Sequence, residues 1–182
     1  MAADEELMLA YAGGDAGAFE TLYGRHKGGL LRFVLRSVKS QGEADEIFQD
    51  VWMRVIEARA RYAPQAKFST WLYTIAHHRL VDHWRARGLT LVSLDDEDNA
   101  ALQPVAGPGA EPHRNAEARQ ALERFAAALA ALPHAQREAF LLHHEGGLGI
   151  AEIAAATGSA EDAAKSRLRY ATKKLKEAIG DD

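Results

Sequence analysis

Residues 150–179 read IAEIAAATGSAEDAAKSRLRYATKKLKEAI, and this stretch decides the fold of the C-terminal part of the chain. A short alanine-rich helix is followed by Gly158, a few polar residues and a longer amphipathic helix. That order is the form of a helix-turn-helix. Gly158 suits a turn that needs a positive φ, and Ser159 with Asp162 has the spacing of a capping box. Ala154 and Ala155 are small where two helices would cross. Ala164, Leu168, Ala171 and Leu175 recur at helical spacing and face inward, which turns Lys165, Arg169 and Lys173 outward. A helix with cations on its free face fits a major groove, where Lys and Arg reach phosphates or base edges. Glu161 sits at the positive end of this helix and can accept from cytosine. The plain alternative is a solvated basic face on an ordinary helical packing.

Working outward, the helices before this motif carry Leu122, Phe125, Ala126 and Leu129, then Ala139, Phe140 and Leu141. Pro133 separates them and Gly146-Gly147 ends the second. Residues 113–179 are therefore expected as one small helical domain. Upstream, residues 89–112 read LTLVSLDDEDNAALQPVAGPGAEP, without a single Lys or Arg. An acidic run and three prolines bury too little apolar surface to offset ordering, so a flexible acidic linker is expected.

Residues 4–88 are expected as a second helical domain. Leu7, Ala10 and Tyr11 open it, and the glycines around Asp15 break that stripe. Its clearest helix, residues 43–61, carries Ile47, Phe48, Val51, Trp52 and Val55 on one face. Glu43, Glu46, Asp50 and Glu57 form an acidic strip on another. That strip reads either as a solvated face or as a docking surface for a basic protein. Pro64 ends the helix, and Ser69 or Thr70 is the expected cap of the next. The next helix lies in KFSTWLYTIAHHRLVDHWRAR, residues 67–87. Leu72, Ile75, Ala76 and Leu80 are its expected core, with Phe68 and Trp71. Lys67, Arg79 and Arg85 accompany Tyr73, His77, His78 and Trp84, whose rings are expected at the surface. Aromatic faces stack bases while cations follow a backbone, so this stretch is a candidate single-strand site. No strand pattern appears, and the fold class is all-α.

The chain has 182 residues, no cysteine and a formal charge of −4. That charge excludes an indiscriminate nucleic-acid binder. The missing cysteines exclude disulfides and thiolate metal sites and fit a reducing cytoplasm. The N-terminus MAADEELMLAY lacks the basic segment of a signal peptide, and no apolar run is long enough to span or insert in a membrane. The adjacent pairs His77-His78 and His143-His144 cannot both aim at one metal from a regular helix. No nucleophile motif or phosphate loop is present, so neither catalytic residues nor a cofactor are expected.

The ordered blocks DAGAFETLYGRH (15–26), ADEIFQDVWMRVIEARARY (44–62), KFSTWLYTIAHHRLVDHWRAR (67–87) and LAALPHAQREAFLLHHEGGLGIAEIAAATGSAEDAAKSRLRYATKKLKEA (129–178) are jointly specific. The chain resembles the extracytoplasmic-function group of sigma-70 factors of bacterial RNA polymerase. The resemblance implies two helical domains, region 2 over residues 4–88 and region 4 over 113–179. Region 2 would bind the polymerase clamp through Glu43, Glu46, Asp50 and Glu57. It would open the −10 element with Lys67, Tyr73, His77, His78, Arg79, Trp84 and Arg85. Region 4 would bind the polymerase flap and read the −35 duplex through Ser159, Glu161, Lys165, Ser166, Arg169 and Lys173. The linker would thread the polymerase cleft, its acids occupying a basic channel, or serve as a solubilising tether. The implied partners are core RNA polymerase, promoter DNA and an anti-sigma factor. His78 stands where the family commonly has Asn, which alters the pocket for a flipped base. Asp162, Ala163 and Ala164 stand where it often has Gly-Thr-Val, which removes a hydroxyl contact to phosphate. The runner-up function is a helix-turn-helix regulator acting without polymerase.

Overall fold

The computed structural model describes residues 1–88 and 116–180, and the expected linker at 89–112 lies outside the described residues. Eight α-helices and one 3₁₀ turn are present among them, with no strand. The first unit holds α1 (Asp4–Ala12), α2 (Ala16–Leu35), α3 (Gln41–Ala58), the turn Arg59–Arg61 and α4 (Phe68–Ala86). The second holds α5 (Ala116–Ala131), α6 (His134–His144), α7 (Ile150–Thr157) and α8 (Glu161–Ile179).

Local chemistry sets the helix starts. The Ala18 N–H donates to the Asp15 carboxylate at 3.3 Å and the Glu43 N–H to Ser40 Oγ at 3.2 Å, so each side chain satisfies a donor the helix leaves free. Helix α4 starts differently from expectation. Its N-cap is Lys67, Thr70 is buried inside the first turn, and the Phe68 N–H donates to the Glu5 carboxylate at 2.7 Å. A carboxylate from α1 replaces the local cap and ties the two helices together.

Helices α1 to α4 pack in sequence, each against the next or across the 3₁₀ turn. Met8, Leu22, Leu30, Phe33, Ile47, Val51, Phe68, Leu72 and Leu80 fill the interior. Met8 is fully buried while Ala10 is exposed, so α1 is turned relative to its expected stripe. In the second unit α8 packs against α5, α6 and α7. Leu129, Leu132, Leu141, Leu142, Ile153, Ala164, Ala171 and Leu175 are its core. Leu122, expected inside, is 55% exposed, while Phe125 packs against the core.

The apolar core does not stop between the units. One continuous cluster includes Tyr73 and Trp84 of the first and Leu148 and Ile153 of the second, with α4 packed on α7.

Candidate nucleic-acid interface

Helices α7 and α8 form the expected helix-turn-helix. Gly158 takes the left-handed conformation, φ 67°, which L side chains adopt only under strain. The cap of α8 is Ala160 and no side chain caps it, so the expected capping box is not formed. The Ser159 hydroxyl instead lies 3.0 Å from that of Thr157. Ala154 and Ala156 are the buried small residues of α7, while Ala155 is exposed. A one-residue shift in phase explains the difference.

On α8, Glu161, Lys165, Arg169 and Lys173 are exposed and Ser166 is half-buried. Lys176 continues the same outward row, four-four-three residues apart, and was legible from that spacing. The Arg169 guanidinium lies 5.3 Å from the exposed Tyr170 ring. Lys165, Arg169, Lys173 and Lys176 thus make a cationic ridge, with Glu161 and Asp162 at its N-terminal end.

The acidic strip of α3 divides into two kinds of residue. Glu43 pairs with Arg87, and Asp50 accepts from Arg79 Nε at 2.8 Å. These pairs, with Arg54 to Asp82 at 3.0 Å, brace α3 against α4 and the residue after it. Glu46 and Glu57 remain exposed, and between them on the same stripe lies Met53, 51% exposed. A large apolar residue at a polar position was the signal for it.

Of the α4 candidates, Lys67, His78 and Arg85 are exposed, and Arg79 is largely covered by its pair with Asp50. The surface placement of Tyr73, His77 and Trp84 is corrected: all three are buried, because α6 and the loop before α7 cover them. Tyr73 is 1% exposed, meets Phe33 edge-on at 5.4 Å and donates its hydroxyl to the Glu145 carbonyl at 3.3 Å. Burial, with the nearby Glu145 charge, pushes that phenol far above its ordinary range. Trp84 meets the His134 ring edge-on, centroids 3.7 Å apart. His77 Nδ1 is in short contact with Glu138 Oε1, and His134 Nε2 lies 3.4 Å from Glu138 Oε2.

Burial opposes charge on His77, yet the hydrogen bond and charge of Glu138 together outweigh it and hold the imidazole above its usual value. Burial likewise opposes charge on Glu138, and the two histidines outweigh it, so its carboxyl stays well below the usual carboxylate range. Arg137, beside this group, is pushed by burial down to about 10 and donates to the Ala130 and Leu132 carbonyls at 3.2 and 3.4 Å. Around this centre the units exchange surface ion pairs. Arg32 Nε and Arg36 Nη1 both donate to the Glu145 carboxylate, at 2.7 and 2.6 Å. Lys67 Nζ lies 3.1 Å from Glu152, whose carboxyl the Gly149 N–H and then Lys67 hold below its ordinary value. Among the described residues, no cluster of His, Asp or Glu side chains is arranged to hold a metal ion. No helix among them is long and apolar enough to cross a membrane.

The comparisons with known proteins agree with this division. The family model of sigma-70 region 2 matches residues 22–90, and that of sigma-70 region 4 matches residues 122–175. The chain is similar to the RNA polymerase sigma factor CarQ of Myxococcus xanthus, 29% identical over 96% of both chains. It is also similar to the ECF RNA polymerase sigma factor SigM of Mycobacterium tuberculosis, 30% identical over 97% of this chain and 85% of that one. Among solved structures it is similar to the sigma factor RpoE in complex with the anti-sigma factor NepR from Bartonella quintana. That match has a TM-score of 0.71 and 25% identity over 90% of this chain and 98% of that one. With region 2 on the first unit, region 4 on the second and relatives aligned along nearly its whole length, the protein belongs to the extracytoplasmic-function group of the sigma-70 family, the RNA polymerase sigma factors that bring core polymerase to promoter DNA and start its opening.

Proposed function

We propose that three surfaces divide this work. The ridge Lys165, Arg169, Lys173 and Lys176, with Ser166, sits on the −35 duplex. The α4 face with Lys67, His78 and Arg85 meets the −10 strand, and Tyr73, His77 and Trp84 join it once uncovered. Glu46, Met53 and Glu57 on α3 dock on core polymerase, an apolar anchor between two acids against a basic surface. Asp50 and Glu43 act there only through the α3–α4 brace. The observation that carries the reading is the exposed cationic row of α8 above a fully buried Ala164–Ala171–Leu175 row.

The test is run-off transcription with core polymerase on a promoter library, followed by binding to the selected promoter. Lys165→Ala with Arg169→Ala should lower duplex affinity at every sequence and flatten the salt dependence by a slope of about 2, near 0.9 per phosphate contact. An unchanged slope removes these residues from the phosphate backbone. Sequence-specific duplex binding by the free protein, without core-dependent transcription, would favour a simple regulator instead.

An anti-sigma factor is also proposed as a partner, because RpoE of similar fold is held by one. Affinity purification from unstressed cells should recover a second protein that suppresses transcription when added back. Recovery of polymerase alone, with full activity, would count against it.

A further inference from the structure

Sulfur is scarce in this chain and unevenly placed. There is no cysteine, and there are three methionines. Met1 is the exposed first residue and Met8 is fully buried in the core. Met53 stands on the outer face of α3, opposite the buried row Ile47, Val51 and Val55. The rings of α3, Phe48 and Trp52, turn instead to Phe19 and Tyr23 of α2. Met53 is thus the large apolar side chain that α3 leaves to water, with Glu46, Gln49 and Glu57 exposed along the same stripe. A thioether suits such a place because it adapts its shape to a partner. It also brings a chemistry that leucine would not. We propose that Met53 is a site of reversible oxidation by peroxides, and that its sulfoxide weakens the hold of the free chain on core polymerase. This rests on the docking role given to Met53 above.

The step is an oxygen transfer. The sulfur gives an electron pair to one peroxide oxygen, an S–O bond forms as the O–O bond breaks, and the other oxygen leaves as water. The sulfur is oxidised and the peroxide reduced. A dithiol reductase reverses it, taking the oxygen away as water and becoming a disulfide. With no thiol in the chain, a peroxide meets no faster sulfur first. The product is a polar side chain in place of an apolar one. Docking would then bury an oxygen that Glu46 and Glu57, acceptors only, cannot satisfy. The fold is spared, because the sulfur of Met8 lies out of reach and Met53 touches no part of the inward row.

The full-length chain is treated with hydrogen peroxide, cleared of it with catalase and then mixed with core polymerase. Peptide mass spectrometry should find Met1 and Met53 as sulfoxides and Met8 unchanged. Affinity for core should fall on the order of tenfold, the effect of burying one more poorly paired polar group. The urea midpoint should not move. Methionine sulfoxide reductases for both epimers should restore the affinity. Met53→Leu, compared with its own untreated sample, should keep its affinity through the same treatment, although its Met1 is still oxidised. Unchanged affinity of the oxidised wild type, or an equal loss in Met53→Leu, overturns the proposal. Oxidation of Met8 alongside Met53 overturns it as well, since the core would then be the target. Order of addition separates this from the docking reading. Core added before peroxide should slow oxidation of Met53 and not of Met1. Equal slowing or none removes Met53 from the core interface. Protection of Met53 by core, with undiminished affinity of its sulfoxide, overturns the oxidation proposal and leaves the docking intact.

Discussion

Glu138 is a carboxylate with almost no access to water, held between two imidazoles from two helices. Removing one partner of such a buried pair costs about 3–5 kcal/mol, since the other charge stays behind without compensation. Glu138→Gln keeps the shape and removes the charge. Around His77 the ionisable groups are His78 on its own helix and His134, Arg137 and Glu138 on α6. The folded value of His77 is raised, so its contribution is fully present below the unfolded value near 6.5 and is lost as pH rises through the folded value. Glu138 does not titrate in that window, because its own value lies far lower. The stability gap between wild type and Glu138→Gln should therefore be larger at pH 6 than at pH 9, measured by urea unfolding. An equal gap at both would mean that the contact is a neutral hydrogen bond. Neither the histidine nor the glutamate announces this pairing in sequence, since 61 residues separate them.

At the scale of elements, periodicity carried most of the information. The inward rows of α3 and α8 stand where spacing puts them, because each packs one stripe on its own unit. Gly158 is the element-scale position where a single atom matters. Its φ of 67° costs an L residue about 1–2 kcal/mol, so Gly158→Ala should destabilise the second unit by that order. The check is a thermal or urea unfolding curve of the full chain. A neutral outcome would show that the turn relaxes without moving α8. Helix ends were less legible than helix faces. The cap of α4 comes from Glu5, sixty-three residues before Phe68, and local side-chain rules cannot see it.

For the whole molecule, the continuous core through Tyr73, Trp84, Leu148 and Ile153 couples the units thermodynamically. Wild type should unfold in one cooperative calorimetric transition, as small domains sharing a core do. Gly29→Ala, whose added Cβ would stand 2.6 Å from the Glu145 backbone oxygen across the interface, should divide it into two, one for each unit. A divided transition in wild type would mean that the interface adds little to either unit. The ion pairs at its rim, Arg32 and Arg36 with Glu145 and Lys67 with Glu152, are partly exposed and each contributes about 0–1 kcal/mol. The buried centre, rather than the rim, holds the two units together at high salt.

Sequence alone determined the all-α class, the two units, the helix-turn-helix and the cationic row of α8. Each follows from residues within a turn or two of one another, where helical spacing, a glycine at positive φ and a break at proline act locally. The tertiary structure alone decided which rings of α4 face water. Tyr73, His77 and Trp84 share their helix with cations, and a mixed stripe reads as surface from within its own unit. Their covering comes from residues 134–148, far along the chain, and includes a carboxylate whose burial only two histidines make tolerable. Such contacts join two already formed units, so the pattern within either one carries no trace of them.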